Sequence, residues 1–255
     1  MSAATVTPVV VSLISAAVAI PSVLLSARTA RRTAQLSYEL DREKSRATKE
    51  EQVEEVMSRY REPLLRPAFD LQSRIYNIIV HRFMVRYGAE GREHEREYAR
   101  TNTVFLFAEY FGWVEILRRD VQFLDLGDVE RNHLLVERLE RIGDTFSSSG
   151  GTLSDPAFRM LRGQQRALGE LMIPSAADGG GRRYCIGYAQ FCARLRDEPA
   201  FAEWFRPLSE DVSALAEEDA CSDERLTKLQ HALIDLIDFL DDPPARFRAE
   251  FRSKL

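Results

Sequence analysis

The sequence predicts an all-α protein with an amino-terminal transmembrane helix, a charged helical stalk and a bundle of six or seven helices. Beyond residue 63, apolar residues recur at spacings of three and four, as they do on one face of a helix. No segment shows the strict alternation that is typical of a strand. The composition of the 255 residues, 45% hydrophobic and 29% charged, is that of a globular protein.

The predicted transmembrane helix covers residues 6–27 and follows a short extracytoplasmic tail, residues 1–5. No charged side chain occurs from Ser2 to Ala27. At about 1.5 Å per residue, such a helix is long enough to cross a hydrocarbon core of about 30 Å. A cleaved signal peptide is the alternative, but its first residues should be basic, and here none is.

The basic residues that follow the apolar segment predict its orientation. Arg28, Arg31 and Arg32 come directly after it, and the positive-inside rule places this side in the cytoplasm. All but four of the 35 basic residues are arginine, which is typical of GC-rich coding and therefore of a bacterium. We therefore expect a single-pass protein of the bacterial inner (plasma) membrane with a cytoplasmic carboxyl-terminal domain.

Residues 28–62 form the predicted stalk. Acidic and basic residues are interspersed there, and no glycine or proline occurs before Pro63, so a long solvated helix is expected. Glu43 and Glu50 interrupt the apolar stripe that a strong coiled coil would need. The stalk is thus either a single helix or a weak coiled coil, and the second would make the protein a homo-oligomer.

Residues 63–255 form the predicted cytoplasmic bundle. Pro63 marks the boundary, and Pro67 is expected to let the chain turn before a helix that ends at Gly88. The next helix, residues 92–125, is apolar nearly all round, which predicts a buried central helix. Gly112 in this helix would permit a close crossing.

The later helices are predicted from caps, prolines and apolar spacing. Asp128 is the expected cap of one helix, and a second is expected to start at Asp155 and Pro156 and end at Pro174. A short helix over residues 184–195 and a segment closed by Pro207 follow. The last helix carries a leucine seam, with its aspartates on the solvated face: Leu226, Leu229, Leu233, Leu236 and Leu240.

One pair of residues has the spacing of metal ligands. Glu130 and His133 form an E-x-x-H on a predicted helix, as in di-metal bundles. Those sites need a second such motif and two more carboxylates, and the sequence has no second E-x-x-H. We therefore predict no metal and no other cofactor, with Glu130 and His133 as weak candidates only.

Catalytic candidates are few. Glu109 and Glu115 lie in the apolar central helix, and together with Glu130 they are the weak candidates for an enzyme that uses bundle carboxylates. A buried carboxylate without a basic partner would have a perturbed pKa and would favour this function. The sequence has no P-loop, dinucleotide-binding or hydrolase motif. The net charge of -5 argues against nucleic acid as a partner.

The leading functional hypothesis is a scaffold, adaptor or sensor that recruits an unidentified protein partner to the membrane. A membrane-tethered enzyme, or a bundle that binds a lipid or apolar ligand, are the alternatives. The basic segment from Pro243 to the end could contact anionic lipid. Its last residues, Ser253, Lys254 and Leu255, match a peroxisomal address, which in a bacterium has no meaning.

Overall fold

The fold is taken from a computed structural model of the chain. It describes residues 3–121, 129–148, 157–174, 183–217, 224–241 and 246–255. For residues 3–29, 49–50, 52–60, 121, 129–132 and 249, only the backbone is described.

None of the described residues forms a strand, which confirms the predicted all-α class. Beyond residue 63, the described part of the chain holds the end of one long α-helix and six further α-helices, as predicted. The α-helices are α1 (Ala3–His81), α2 (Glu93–Val121), α3 (Val129–Ser147), α4 (Arg162–Leu171), α5 (Tyr188–Asp197), α6 (Pro199–Ala214) and α7 (Glu224–Leu240). A π-helix, Met84–Ala89, and a 3-10 turn, Ala249–Phe251, complete the set.

The chain divides into two compact units, Met1–Val53 and Glu54–Leu255. In the first unit, the side chains of residues 30–48 are exposed, as expected of a solvated stalk. Among the residues whose side chains are described, no helix is both long and apolar enough to cross a membrane. The predicted span, residues 6–27, lies outside those residues. The predicted boundary after residue 62 stays a prediction.

Helix α2 is the centre of the second unit and packs against α4, α5 and α6. Its aromatic residues supply much of the core: the Phe107 ring lies 5.7 Å from Phe158, and the Phe111 ring lies 5.0 Å from Phe146. The predicted buried central helix is thereby confirmed. Gly112 also permits close packing, because a Cβ atom there would lie 2.5 Å from the sulfur of Cys185.

The predicted turn at Pro63 and Pro67 is wrong, because α1 continues through both prolines to His81. A proline inside a helix costs about 3 kcal/mol, since it removes a hydrogen bond and crowds the preceding turn. Leu64 and Leu65 are both buried. Burial of one leucine stabilises by about 1.5–3 kcal/mol, so packing offsets much of the cost of the two prolines.

The prediction that Pro207 closes its segment is also wrong, because Pro207 lies inside α6. Its neighbours Phe205 and Leu208 are buried, so the free energy of burial again offsets the cost of a proline inside a helix. Helix α5 begins at Tyr188 rather than Tyr184.

The helix expected from Asp155 starts later in the chain. Asp155 and Pro156 lie outside the described residues, and α4 begins at Arg162. The cause is Phe158, whose φ of 54° is left-handed and incompatible with a helix. Its ring is fully buried, and its N–H donates to the Asp211 carboxylate at 2.9 Å, which holds the residue in this conformation.

Helix α7 confirms the leucine seam, since all five of its predicted core leucines are buried. One aspartate differs from the prediction of a solvated face. Asp241 is only 5% exposed. Its carboxylate accepts a hydrogen bond from the N–H of Arg246 at 3.2 Å and pairs with Arg252, which explains why a charged side chain is buried there.

The carboxyl-terminal segment, residues 246–255, packs against the bundle. The Phe247 ring stacks on Phe69 of α1 with a centroid distance of 3.7 Å. Lys254 pairs with Asp235 of α7 at 2.6 Å, and the N–H of Leu255 donates to Gln230. Two of the cations that the sequence offers to anionic lipid, Arg252 and Lys254, thus pair with carboxylates on α7.

Candidate functional site

Glu115, one of the catalytic candidates, is a paired carboxylate. It is 2% exposed and accepts hydrogen bonds at 2.7 Å from both Arg118 and Arg119. Burial alone would raise the pKa of Glu115, but the two guanidinium groups outweigh it and lower the pKa. Arg119 also reaches Glu170 of α4 at 3.2 Å, so this cluster joins two helices.

Glu109, a second candidate, is not paired with two arginines among the described residues, and Arg66 is the one cation whose charge affects it there. Burial, together with the nearby Asp70 carboxylate, raises the pKa of Glu109 to about 7, although the charge of Arg66 opposes this. The thiol of Cys185 lies 3.9 Å from the Glu109 carbonyl oxygen. Glu109 is therefore the one predicted carboxylate whose described surroundings let it exchange a proton near neutral pH.

The remaining predicted residues are not brought together. His133 lies on the exposed side of α3, and the side chain of Glu130 is outside the described residues. Within the described part of the chain, no group of three histidine, cysteine or acidic side chains is placed to hold a metal ion. Arg31 and Arg32 are exposed, whereas the Arg28 side chain is not described.

The connection between α1 and α2 was not predicted from the sequence, because α1 ends at His81 rather than at Gly88. Arg82 there has a φ of 51°, in the left-handed region that non-glycine residues rarely adopt, and the π-helix Met84–Ala89 follows. Both features are uncommon, cost free energy, and are frequent at functional sites. The only feature of the sequence that could have indicated this connection is the group of two histidines, three tyrosines and several arginines around Gly88. Each of these residues by itself is typical of a solvated surface.

A pocket of about 530 Å³ lies at this connection, and we refer to it as the turn pocket. Small-molecule sites commonly have volumes of about 300–1,000 Å³. Its wall is aromatic and basic, with Asn77 and Glu95 as further polar groups. The aromatic and basic lining residues are His81, Phe83, Arg86, Tyr87, His94 and Tyr98.

Behind the turn pocket lies a buried guanidinium. Arg74 is 9% exposed, and its charge stacks on the ring of Phe83 at 4.1 Å, with Tyr98 at 5.8 Å. Its hydrogen bonds go to neutral groups, Thr103 at 2.9 Å and Asn102 at 2.7 Å. Phe83 and Tyr98 also line the turn pocket, so they separate this charge from the ligand space.

No carboxylate among the described residues contacts Arg74. Burial lowers the pKa of the Arg74 guanidinium, while the hydroxyl of Tyr98 opposes that effect. A buried charge without a counter-ion is unfavourable by several kcal/mol before hydrogen bonding offsets it. The fold therefore keeps a positive charge in contact with two aromatic rings that line the turn pocket.

A smaller pocket of about 380 Å³ adjoins the turn pocket and shares His94 and Tyr98 with it. Tyr188 and Cys192 line its far side, and burial and Cys192 raise the pKa of the Tyr188 hydroxyl. The two cavities together form an aromatic surface along the first turns of α2.

Comparison with protein-family models, with curated proteins and with solved structures found no match to this chain.

Proposed function

We propose that the protein is a single-pass membrane sensor whose cytoplasmic helical domain binds a small ligand in the turn pocket. The observation that carries this proposal is Arg74, a buried charge with neutral partners placed behind a pocket at a strained turn. A purely structural turn would gain stability by losing both the charge and the strain. A buried charge and a strained turn that lower the stability of the fold are typical of a binding site.

The membrane anchor is proposed from the first residues of the chain. The segment from Ser2 to Ala27 lacks charge, and Arg28, Arg31 and Arg32 follow it. In the same proposal, a protein partner receives the signal at the membrane, and self-association of the stalk, residues 28–62, is one way to transmit it.

An enzyme is the second candidate, and Glu109 is the observation that favours it. A carboxyl group with a pKa of about 7 suits a general acid or base at neutral pH. Glu109 does not line the turn pocket, however, and the sensor is therefore the preferred proposal.

The anchor is tested by expressing the full chain in bacteria and washing the membranes with alkaline carbonate. We expect the chain to stay in the membrane and to resist proteinase K in intact spheroplasts, because the domain is cytoplasmic. Deletion of residues 2–27 should release it. Extraction by carbonate, digestion in intact spheroplasts, or a mature chain that starts after Ala27 would contradict the proposal.

A further inference from the structure

We infer that the turn pocket selects organic anions that carry an aromatic ring. This inference rests on the proposed function, since it names the ligand class of the same pocket. It depends on two observations that are independent of each other: the sign of the charges around the cavity and the nature of its walls.

The charges around the cavity favour an anion. Arg86 lines the turn pocket, and none of the ion pairs between described residues includes its guanidinium. Arg74 adds a second positive charge behind the wall. Glu95 is the one acidic lining residue, and its carboxylate accepts a hydrogen bond from the N–H of Arg92 at 2.8 Å. A carboxylate or phosphate would give Arg86 the partner that it lacks.

The walls of the cavity favour a ring. Tyr87 and Tyr98 are 44% and 48% exposed, so part of each side chain is accessible to a ligand. The ring of Phe83 lies 5.0 Å from Tyr87 and continues the aromatic wall. Offset stacking between aromatic rings adds to the free energy of simple burial. A planar ring would cover this wall and place an attached anionic group toward Arg86.

The opposite classes of ligand fit less well. A cationic ligand would meet the positive charges of Arg86 and Arg74, which repel it. A small inorganic anion would find the charges but would leave the aromatic wall uncovered. A neutral aromatic molecule would cover the wall but would leave Arg86 without a partner.

Three probes separate these classes: benzoate has ring and charge, benzyl alcohol has the ring alone, and acetate has the charge alone. The full chain is placed in lipid nanodiscs, and hydrogen–deuterium exchange of residues 82–98 is measured by mass spectrometry. The probes are used at about 10 mM, which nearly saturates a site of millimolar affinity. We expect benzoate to slow exchange by about tenfold and the other two to have little effect.

Variants assign the effect to the turn pocket. Arg86→Gln should abolish most of the protection by benzoate, because it removes the exposed cation but keeps a polar side chain. Arg159→Gln is the matched control, since Arg159 is exposed and lies outside the turn pocket. It should leave the protection unchanged.

Each contrary result identifies what fails. Equal protection by benzyl alcohol and benzoate would overturn the selection of anions but leave a ligand pocket, and with it the proposed sensor. Equal protection by acetate and benzoate would overturn the need for a ring. No protection by any probe, or benzoate protection unaltered in Arg86→Gln, would overturn the inference, and the first of these would also remove the ligand pocket from the proposed function.

Discussion

Two glutamates of α2 show how the partners of a residue decide what it does. Glu109 and Glu115 are equivalent in the sequence, since both interrupt the same apolar helix. Glu115 pairs with Arg118 and Arg119, whereas Glu109 lies near Asp70 and has its pKa raised to about 7. The sequence placed both in the core helix, but their charge states depend on side chains that only the fold brings near.

Replacement of Glu109 by glutamine should change how stability depends on pH. In the folded protein the pKa of Glu109 is raised from 4.5 to about 7, so the folded state holds a proton that the unfolded state releases. The free energy of unfolding therefore falls as the pH rises through this window, and the loss is complete above it. Relative to the wild type, Glu109→Gln should gain about 2 kcal/mol between about pH 5 and about pH 8. Urea unfolding at several pH values measures this.

Glu115→Gln is the control with the opposite sign. The pKa of Glu115 is lowered in the folded state, so its contribution is present at neutral pH and is lost as the pH falls below its usual value. This variant should lose about 1–2 kcal/mol at neutral pH, because Arg118 and Arg119 would lack their partner, and lose less in acid. Parallel pH profiles for the two variants would show that their surroundings are not distinct.

Arg74 illustrates what the sequence cannot reveal about a single residue. It is one arginine among many, and nothing in its neighbours marks it as buried. Its environment depends on Asn102 and Thr103 of α2 and on Phe83 beyond the end of α1. These contacts join parts of the chain whose packing no local pattern encodes.

Helices were predictable where the apolar period was long and regular. The central helix α2 and the seam of α7 follow directly from spacings of three and four. Boundaries that depend on tertiary packing were not predictable. Pro63 and Pro207 lie inside helices because burial of their neighbours offsets much of their cost, and Phe158 adopts a left-handed conformation because its ring fills the core.

Close packing between α2 and α4 gives a prediction at this scale. A Cβ atom on Gly169 would lie 2.5 Å from the carbonyl oxygen of Phe111, which is backbone and cannot move aside cheaply. Gly169→Ala should therefore destabilise the domain by about 2 kcal/mol or more, since it forces the helices apart. Thermal unfolding measures the change.

The same helix provides the control. Gly163 also lies in α4, but a Cβ atom there would meet no atom within 4 Å. Gly163→Ala should leave stability unchanged or raise it by up to about 1 kcal/mol, because alanine is the better helix former. Equal losses in the two variants would mean that α4 does not approach α2 as described.

At the scale of the whole molecule, the described residues form a helical domain with a pocket at a strained turn, and we propose an anchor and a stalk before it. The all-α class and the central helix could be predicted from the sequence. The turn pocket was not, because its residues come from the end of α1, the π-helix and the start of α2, and each looks ordinary in isolation. The left-handed conformation of Arg82 cannot be predicted from the amino-acid composition around it.

The central claim is that Arg74 is kept for binding at a cost in stability, and Arg74→Met tests it most directly. Methionine keeps an unbranched apolar stem and has no charge, and the Thr103 hydroxyl keeps its own hydrogen bond to the carbonyl of Ala99. The measurement is the melting temperature of the full chain in nanodiscs, with and without benzoate. We expect the melting temperature of this variant to equal that of the wild type or to exceed it, by about 2–4 °C for each kcal/mol gained. We expect no change in it when benzoate is added. A melting temperature lowered by more than about 4 °C, with the benzoate response retained, would show that Arg74 is a structural residue and contradict the account.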